Sequence, residues 1–406
     1  MNPGALTDIA AGTAAFVGLL GVAVIVAIFA ERVRVPAAVA FVAVGLIFPP
    51  FKPVAIPFTF GATLLFVYLP PLIFEAAWNL EFASLRRMGV AIAVLALPGV
   101  LVSTLIVAFG VTASGQLPVI AAFMLGAIVS ATDPVAVISI FRRMNVPVDL
   151  QTLIEGESIS NDGVAIALYG VALALAAGPA TVNFGFATWH ALLSIAGGIA
   201  IGLVTAVVSG FAIRSARDRA TEIAATIVLA YAAYGLANYL DLSGVFATAA
   251  AAVLLRVYCN RIVTAQSTDD VDRFWEVIAF VANALVFLST GLVIQANRIV
   301  HEPVLVIVAV LAVFGARAIL AFGVLPLLRI ASNKPTWRTT TFFAGMRGAL
   351  ALGLALGLPD GFPNRPQIID ATFAIVFVTL VVQGAALEPV IARLNRRAQA
   401  RLRGES

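Results

Sequence analysis

Charged residues are scarce in this sequence. Of its 406 residues only 11% are charged and 61% are hydrophobic, and the mean hydropathy is +1.04. A soluble globular domain carries about 25% charged residues, so the composition excludes that class. Most apolar runs are 17 to 25 residues long, the length that crosses the hydrocarbon core as a helix. The runs do not alternate apolar and polar residues as an outer-membrane barrel would. The sequence predicts an all-α polytopic membrane protein.

Cysteine and histidine are nearly absent, which removes several kinds of catalytic and metal chemistry. The single Cys259 excludes a disulfide within the chain and a thiolate metal site. The sequence has no His-Glu-x-x-His, and "GESIS" departs from the Gly-x-Ser-x-Gly pattern at Ser160. We therefore expect a protein that is not an enzyme and that needs no cofactor.

Hydrophobic runs separated by turn residues or charges define thirteen candidate spans. They cover about 11–31, 35–50, 60–79, 89–111, 118–141, 156–178, 186–213, 221–240, 243–258, 274–296, 302–328, 338–358 and 367–392. No shift in composition marks a second domain. The sequence predicts one membrane unit over residues 1–406, without a soluble domain.

Lys and Arg are distributed unevenly between the two sides of this arrangement. When every second loop is placed on one side, 20 of the 25 basic residues fall there, three fall opposite, and Arg317 and Arg347 lie within spans. Because cytoplasmic loops are the ones enriched in Lys and Arg, we expect the amino terminus outside and the carboxyl terminus in the cytoplasm. The pI of about 9.6 then reflects topology and anionic lipid headgroups, and no nucleic-acid partner is expected.

Three carboxylates, Glu155, Glu157 and Asp162, lie at the start and in the middle of the sixth candidate span, in the otherwise apolar segment "TLIEGESISNDGVAIALYG". Ser158 and Asp162 are four residues apart and share a helix face, and Glu157 and Asn161 share the adjacent face. Ionisable groups at membrane depth are costly and are functional candidates by default, and oxygen ligands suit hard cations. We predict Asp162 and Ser158 as cation ligands. A polar network that only holds helices together is the alternative.

The fifth span contains Thr-Asp-Pro at its centre. Pro134 lacks an amide donor and disfavours helix at Asp133, so the helical ladder is expected to break there. Irregular backbone at membrane depth is tolerated only where protein buries it or where it lines a wet cavity. The pattern predicts Asp133 and Thr132 as site residues, with an incidental Asp in a kinked helix as the alternative.

The twelfth span has "GMRG" (345–348) at its centre. A weakened helix centre that carries a charge in each half of the chain is typical of a transporter built from two repeats. Arg347 needs an anion, and Glu157 is its expected partner because Asp162 has to stay free to titrate. Arg317, in the eleventh span, is expected to neutralise the carbonyl end of a half-helix.

Glu75, in the third span, follows two prolines in "YLPPLIFE". The prolines are expected to distort the helix just before this carboxylate and to turn it toward the bundle interior. Both a ligand role and a structural role stay open for it.

Five segments together resemble the monovalent cation–proton antiporters of the NhaP/NHE type. They are "ATDPVAV" (131–137), "EGESISNDGVAIALY" (155–169), "LPPLIFEAAW" (69–78), "VFLSTGL" (286–292) and "GMRGALAL" (345–352). Their order and spacing match across essentially the whole chain. An Asn-Asp pair in the sixth span is specific when a Thr-Asp-Pro precedes it, whereas either motif alone is weak.

The resemblance implies two inverted-topology repeats in which the fifth and twelfth helices are broken and cross. It implies a core over about 89–178 and 302–392 that moves against a dimerisation scaffold over about 11–79 and 221–296, with a linking helix at about 186–213. A homodimer is therefore expected.

For the site, the resemblance implies that Asp162 carries the cation and the proton in turn. Ser158, Asp133 and the Thr132 backbone would complete the site, with Glu75 nearby. Asn161 and a Glu157–Arg347 pair would hold the architecture.

The expected function is exchange of Na⁺ or Li⁺ for H⁺ by alternating access, with competition between the two ions at Asp162. Relatives with two adjacent aspartates exchange electrogenically, so Asn161 before Asp162 implies electroneutral, one-for-one exchange. The short basic tail fits a prokaryotic plasma membrane. K⁺/H⁺ exchange and proton-coupled transport of a small organic solute are the alternatives, and a cation channel is less favoured because a site that must lose a proton to load implies turnover.

Overall fold

The structure is a computed structural model that describes residues 3–33, 35–47, 64–144, 146–178, 184–216, 218–262, 265–293, 302–328 and 335–402. All regular elements within these ranges are helices. Seven of the described helices are long and apolar enough to cross a membrane, and four shorter apolar helices accompany them. The prediction of an all-α polytopic membrane protein is confirmed. Residues 48–63 and 294–301, which include ends of the second, third and tenth candidate spans, lie outside the described residues.

Fifteen α-helices follow one another in the described ranges. They are α1 (Pro3–Val33), α2 (Ala37–Ile47), α3 (Leu69–Trp78), α4 (Phe82–Ala113), α5 (Val119–Ser130), α6 (Val135–Arg143), α7 (Val148–Ala177), α8 (Phe184–Ser215), α9 (Arg219–Tyr239), α10 (Gly244–Ile262), α11 (Ala265–Val293), α12 (Pro303–Ala318), α13 (Pro335–Phe343), α14 (Ala349–Leu356) and α15 (Arg365–Leu402). A π-helical turn, Leu64–Tyr68, leads into α3. A π-helical turn and a 3-10 turn, Ile319–Val324 and Leu325–Leu327, extend α12.

Two apolar segments each consist of a pair of short helices. In the first, α5 ends at Ser130 and α6 begins at Val135, and the four residues between them are not helical. In the second, α13 ends at Phe343 and α14 begins at Ala349. Proline in the first gap and glycines in the second are the residues that weaken a helix most. We call residues 131–134 the first break and residues 344–348 the second break.

The helices pack in two groups. One group consists of α4, α5, α7 and α12 to α15, and both breaks lie inside it. The other group consists of α1, α2, α3 and α9 to α11, with α8 packed on α9 and α10. Helix α3 contacts α7 of the first group as well as α10 and α11 of its own. It therefore lies where the two groups meet.

A polar and aromatic cluster fastens one end of α3 to its own group. The indole Nε1 of Trp78 donates to Oδ1 of Asp272 at 2.6 Å, and Arg256 forms an ion pair with the same carboxylate. The Arg256 guanidinium lies 5.0 Å from the centroid of the Trp78 ring, a distance at which cations are attracted to aromatic faces. Phe74 packs on Trp275 with ring centroids 4.4 Å apart. These contacts tie α3 to α10 and α11 and so fix the side of α3 that faces the breaks.

Candidate functional site

The two breaks touch each other directly through their backbones. The Asp133 amide donates to the Met346 carbonyl at 2.9 Å. A Cβ atom at Gly348 would overlap the Asp133 carboxylate, so glycine is what permits this approach. At Gly345 a Cβ would lie 2.6 Å from Nε of Arg317. The two glycines of "GMRG" therefore make room for two charged side chains, Gly345 for Arg317 and Gly348 for Asp133.

Each break supplies a charge to a half-helix of the other. Nη1 of Arg347 donates to the carbonyls of Ser130 at 2.6 Å and Ala131 at 3.2 Å, at the carboxyl end of α5. Oδ2 of Asp133 accepts from the Ala349 amide at 3.4 Å, at the amino end of α14. A helix carries partial negative charge at its carboxyl end and partial positive charge at its amino end. Both contacts have the favourable sign, and they satisfy backbone groups that the breaks release from helices.

Helix α7 holds the first break through two polar side chains. Oγ of Ser158 donates to the Thr132 carbonyl at 2.6 Å, and Nδ2 of Asn161 donates to Oγ1 of Thr132 at 3.0 Å. The Thr132 carbonyl is one of the groups that loses its helical partner at the break. Because a carbonyl oxygen has two lone pairs, this one can still accept a further ligand. Ser158, Asn161 and Thr132 are all buried.

Helix α15 holds the second break in the same way. Oγ1 of Thr379 accepts from the Arg347 amide at 3.2 Å, and Nε2 of Gln383 donates to the Phe342 carbonyl at 3.0 Å. Backbone groups at membrane depth have no water to replace lost helical bonds, so they need partners from the protein. The partners come from α7 for the first break and from α15 for the second.

A cavity of about 50 Å³ opens where the first break, α3, α7, α11 and the start of α14 meet. Four of the predicted ligands line it: Asp133, Asp162, Ser158 and Thr132. Organic ligands occupy pockets of about 300–1,000 Å³, whereas water-filled sites need only about 10–15 Å³ per molecule. The cavity therefore has room for a small ion with a few waters.

Asp162 is the residue of this cavity whose charge the protein leaves unmatched. Its Oδ1 is buried and has no hydrogen-bond partner, while the side chain as a whole is half-buried and borders the cavity. The other carboxylate, Asp133, has the amino end of α14 beside it. An ionised carboxylate oxygen with no donor is strongly disfavoured in a buried setting. Asp162 therefore needs a cation or a proton.

The prediction that Glu157 pairs with Arg347 is wrong. Glu157 forms a two-point ion pair with Arg317, and Nη2 of Arg317 lies 3.2 Å from Oε2 of Glu157. Both side chains are at most 3% exposed. Arg347 is instead held by the carbonyl end of α5, whose partial negative charge takes the place of a carboxylate.

Arg317 also does what was expected of it from sequence. Its Nε donates to the Thr341 carbonyl at 3.0 Å, in the last turn of α13. Each half-helix that runs into a break thus has an arginine at its carboxyl end, Arg347 for α5 and Arg317 for α13. The sequence identified both arginines as site candidates but assigned Glu157 to the wrong one, since spacing carries no information on the register between α7 and α12.

Glu75 is not among the residues that line the cavity. Its neighbours Ile73 and Ala76 do line it, whereas Oε1 of Glu75 accepts from Nδ2 of Asn79 at 2.7 Å. The side chain is half-buried. The structure thus brings together four of the five predicted ligands and leaves Glu75 on another face of α3.

Asn283 lines the cavity and was missed by sequence reasoning. It lies in α11, is only 6% exposed, and donates through Nδ2 to the Ala279 carbonyl at 2.9 Å. Its Oδ1 is buried without a partner. Charges inside spans indicate functional residues, and the neutral amide within "AFVANALVFL" carries none. The available indication was the isolated polar residue in an apolar run.

The observed pairing predicts a specific pattern of rescue. Glu157→Leu leaves the Arg317 guanidinium buried without its anion, and loss of one member of such a pair costs about 3–5 kcal/mol. We expect a large fall in the melting temperature of the purified protein in detergent. Glu157→Leu combined with Arg317→Met should recover part of it, because this double variant removes the unpaired charge but also the donor to the Thr341 carbonyl.

The matched control is Glu157→Leu combined with Arg347→Met, which removes the arginine that was expected from sequence. This double variant should recover nothing, since Arg347 still has to hold the end of α5. Recovery in this variant, and none with Arg317→Met, would contradict the observed pairing.

Comparison with known proteins agrees with the motifs. The transmembrane sodium/hydrogen exchanger family profile matches residues 20–393. The chain is 34% identical over 379 residues to the Na(+)/H(+) antiporter NhaG of Bacillus atrophaeus, which covers 90% of this chain and 72% of that protein. It is 31% identical over 390 residues to the Na(+)/H(+) antiporter NhaH of Halobacillus aidingensis, with 93% and 96% of the two chains covered.

The fold has a counterpart among solved structures. The sodium proton antiporter MjNhaP1 from Methanocaldococcus jannaschii superposes with a TM-score of 0.79, over 95% of this chain and 99% of that one, at 20% sequence identity. At this identity the likeness concerns the fold alone. The family profile over nearly the whole chain and the end-to-end alignment with NhaH decide the assignment. The chain belongs to the sodium/hydrogen exchanger family.

Proposed function

We propose that this protein exchanges Na⁺ for H⁺ across the membrane and that the two ions compete for Asp162. One observation carries the proposal: a buried carboxylate oxygen without a hydrogen-bond partner borders an ion-sized cavity. Ser158, Asp133 and the Thr132 backbone surround the same cavity and complete a set of oxygen ligands suited to a hard monovalent cation. The relatives named as Na(+)/H(+) antiporters favour sodium as that cation.

The charges around the cavity support one-for-one exchange. Two carboxylates, Asp133 and Glu157, and two guanidiniums, Arg317 and Arg347, are each held by contacts within the protein. Their formal charges sum to zero. An ionised Asp162 adds one negative charge, and either one Na⁺ or one H⁺ cancels it. Both loaded states then carry the same net charge, which makes the exchange electroneutral.

The net charge of the site in its loaded and empty states also explains why cation and proton movements are coupled. With Asp162 loaded by either ion the site is neutral, and it can move through the low-dielectric barrier. With Asp162 ionised and empty, the site would carry an uncompensated charge, whose transfer is heavily disfavoured. The empty site therefore stays on one side, and leak is suppressed.

We propose that the two packing groups are the moving parts. The core spans about 89–178 and 302–392, the scaffold about 11–79 and 221–296, and the helix at about 186–213 links them. The cavity borders on both groups, since α3 and α11 line it together with α7 and the breaks. We also propose a thirteen-span layout with two inverted repeats. The contact between the breaks supports their crossing in the fifth and twelfth spans.

Orientation and assembly follow from the sequence. The excess of Lys and Arg on one side supports a cytoplasmic carboxyl terminus and an external amino terminus. We place the protein in a prokaryotic plasma membrane as a homodimer, in keeping with the family resemblance of its motifs.

An organic solute is disfavoured as the substrate by size. The cavity of about 50 Å³ is several times smaller than the pockets that bind organic ligands.

Replacement of the competing carboxylate tests the proposal. Asp162→Asn should abolish sodium-driven proton movement in proteoliposomes, because the neutral amide can neither release a proton nor balance a cation. In the unmodified protein the apparent KM for Na⁺ should rise as pH falls, toward about tenfold per pH unit for single-site competition. Dye-monitored proton flux measures both effects.

Asp360→Asn provides the matched control, because the Asp360 side chain is fully exposed. Its exchange should equal that of the unmodified protein. Sodium-driven proton movement that survives in Asp162→Asn would overturn the assignment of Asp162.

If the exchange is electroneutral, it should not respond to the membrane potential. With the voltage clamped by valinomycin and potassium, the sodium gradient reached at equilibrium should depend on the pH gradient alone. Exchange that moved one net charge would shift the gradient about fifty-fold per 100 mV. A shift of that size would contradict the one-for-one stoichiometry.

The close approach at Gly348 gives a further test of the site. Gly348→Ala places a Cβ atom where the Asp133 carboxylate lies, so Asp133 has to move. We expect a several-fold higher KM for Na⁺ in the same flux assay. Gly315→Ala is the control, since a Cβ there meets nothing, and an unchanged KM in Gly348→Ala would show that the position of Asp133 does not matter for binding.

A further inference from the structure

Asn283 brings an unused oxygen to the cavity from the scaffold side. Its side chain is 6% exposed and lies in α11, which packs on α2 and α3. Nδ2 donates to the Ala279 carbonyl four residues earlier, and this bond fixes the amide orientation, because the reverse orientation would set two oxygens against each other. Oδ1 is left without a donor. Buried polar atoms are rarely left so unless they have a ligand or a functional role.

Location separates Asn283 from other asparagines with the same local geometry. Asn238 in α9 also donates through Nδ2 to the carbonyl four residues earlier, Tyr234, at 2.8 Å. Asn238 does not line the cavity, whereas Asn283 lines it together with Asp162 and Asp133. An amide oxygen beside two carboxylates suits a cation and repels an anion.

We propose that Oδ1 of Asn283 is a further ligand of the transported monovalent cation. The inference rests on the proposed function, in which Asp162 holds that cation. The ligands already assigned lie on α7 and on the first break, within the core. Asn283 lies in the scaffold, so a bound cation contacts both packing groups at once in this conformation.

This ligand differs from the others in being neutral at every physiological pH. It strengthens binding of the cation without adding a second group that protons can occupy. Asn283 therefore sets the concentration of Na⁺ at which the cation displaces the proton, and it leaves the number of exchanged charges unchanged.

The test compares Asn283→Leu with the unmodified protein in proteoliposomes at alkaline pH, where protons no longer compete. We expect the KM for Na⁺ to rise at least several-fold and the exchange to stay electroneutral. Asn238→Leu is the matched control, and its KM should be unchanged. Asn283 could instead serve only to accept a hydrogen bond from protonated Asp162. Its replacement would then alter the pH dependence of exchange and leave the KM for Na⁺ at alkaline pH unchanged, which would overturn the proposal.

A second measurement covers the case in which Asn283→Leu does not fold. Asn283→Asp keeps an oxygen at the same place, so the melting temperature of the purified protein should still rise on addition of Na⁺ relative to choline. A loss of this sodium-dependent stabilisation in Asn283→Asp would contradict a ligand role.

Asp162→Asn separates this inference from the proposed function. If that variant still exchanged sodium for protons, the proposed site itself would be wrong. If it lost exchange while Asn283→Leu kept the unmodified alkaline KM, only the role of Asn283 would be wrong.

Discussion

The reciprocal contact between the two breaks is the constraint on which the rest of the structure depends. An interrupted helix frees backbone oxygens for an ion, but it also leaves unpaired groups in a medium that cannot solvate them. Here the side chain of each break lies at a helix end of the other: Arg347 at the carbonyls that end α5, and Asp133 at the amide that starts α14. Because both contacts have the favourable sign, each break stabilises the other.

The charged groups around the site divide into fixed and exchangeable ones. Asp133, Glu157, Arg317 and Arg347 are held by helix ends and by one another, and their charges cancel. Asp162 has no such partner at Oδ1, so the ion that neutralises it has to come from outside the protein. In the proposed exchange, this neutral framework with one unmatched carboxylate is the electrostatic reason why a cation and a proton exclude each other.

Much of this arrangement could be predicted from the sequence, and what could not be predicted has physical reasons. Pro134 and the glycines of 345–348 mark the interruptions, and charges within apolar runs mark the site, because both are exceptions to local rules for membrane helices. The partner of Glu157 depends on how α7, α12 and the second break are registered in three dimensions, so spacing selected the wrong arginine. The placement of Glu75 depends on the rotation of α3, which two prolines disturb. Asn283 could not be predicted as a site residue from charge inside a span, because its amide is neutral.

The hydrogen bond between the Asp133 amide and the Met346 carbonyl bears on how the molecule deforms. It joins the midpoints of two interrupted helices into one node. Gly348 packs so closely against Asp133 that the two breaks cannot slide past each other. In the proposed transport cycle this node moves as a unit with the core, so the conformational change falls on the contacts between the two packing groups. In this proposal the ligands on α7 and on the first break keep their spacing around the ion while the core changes position against the scaffold.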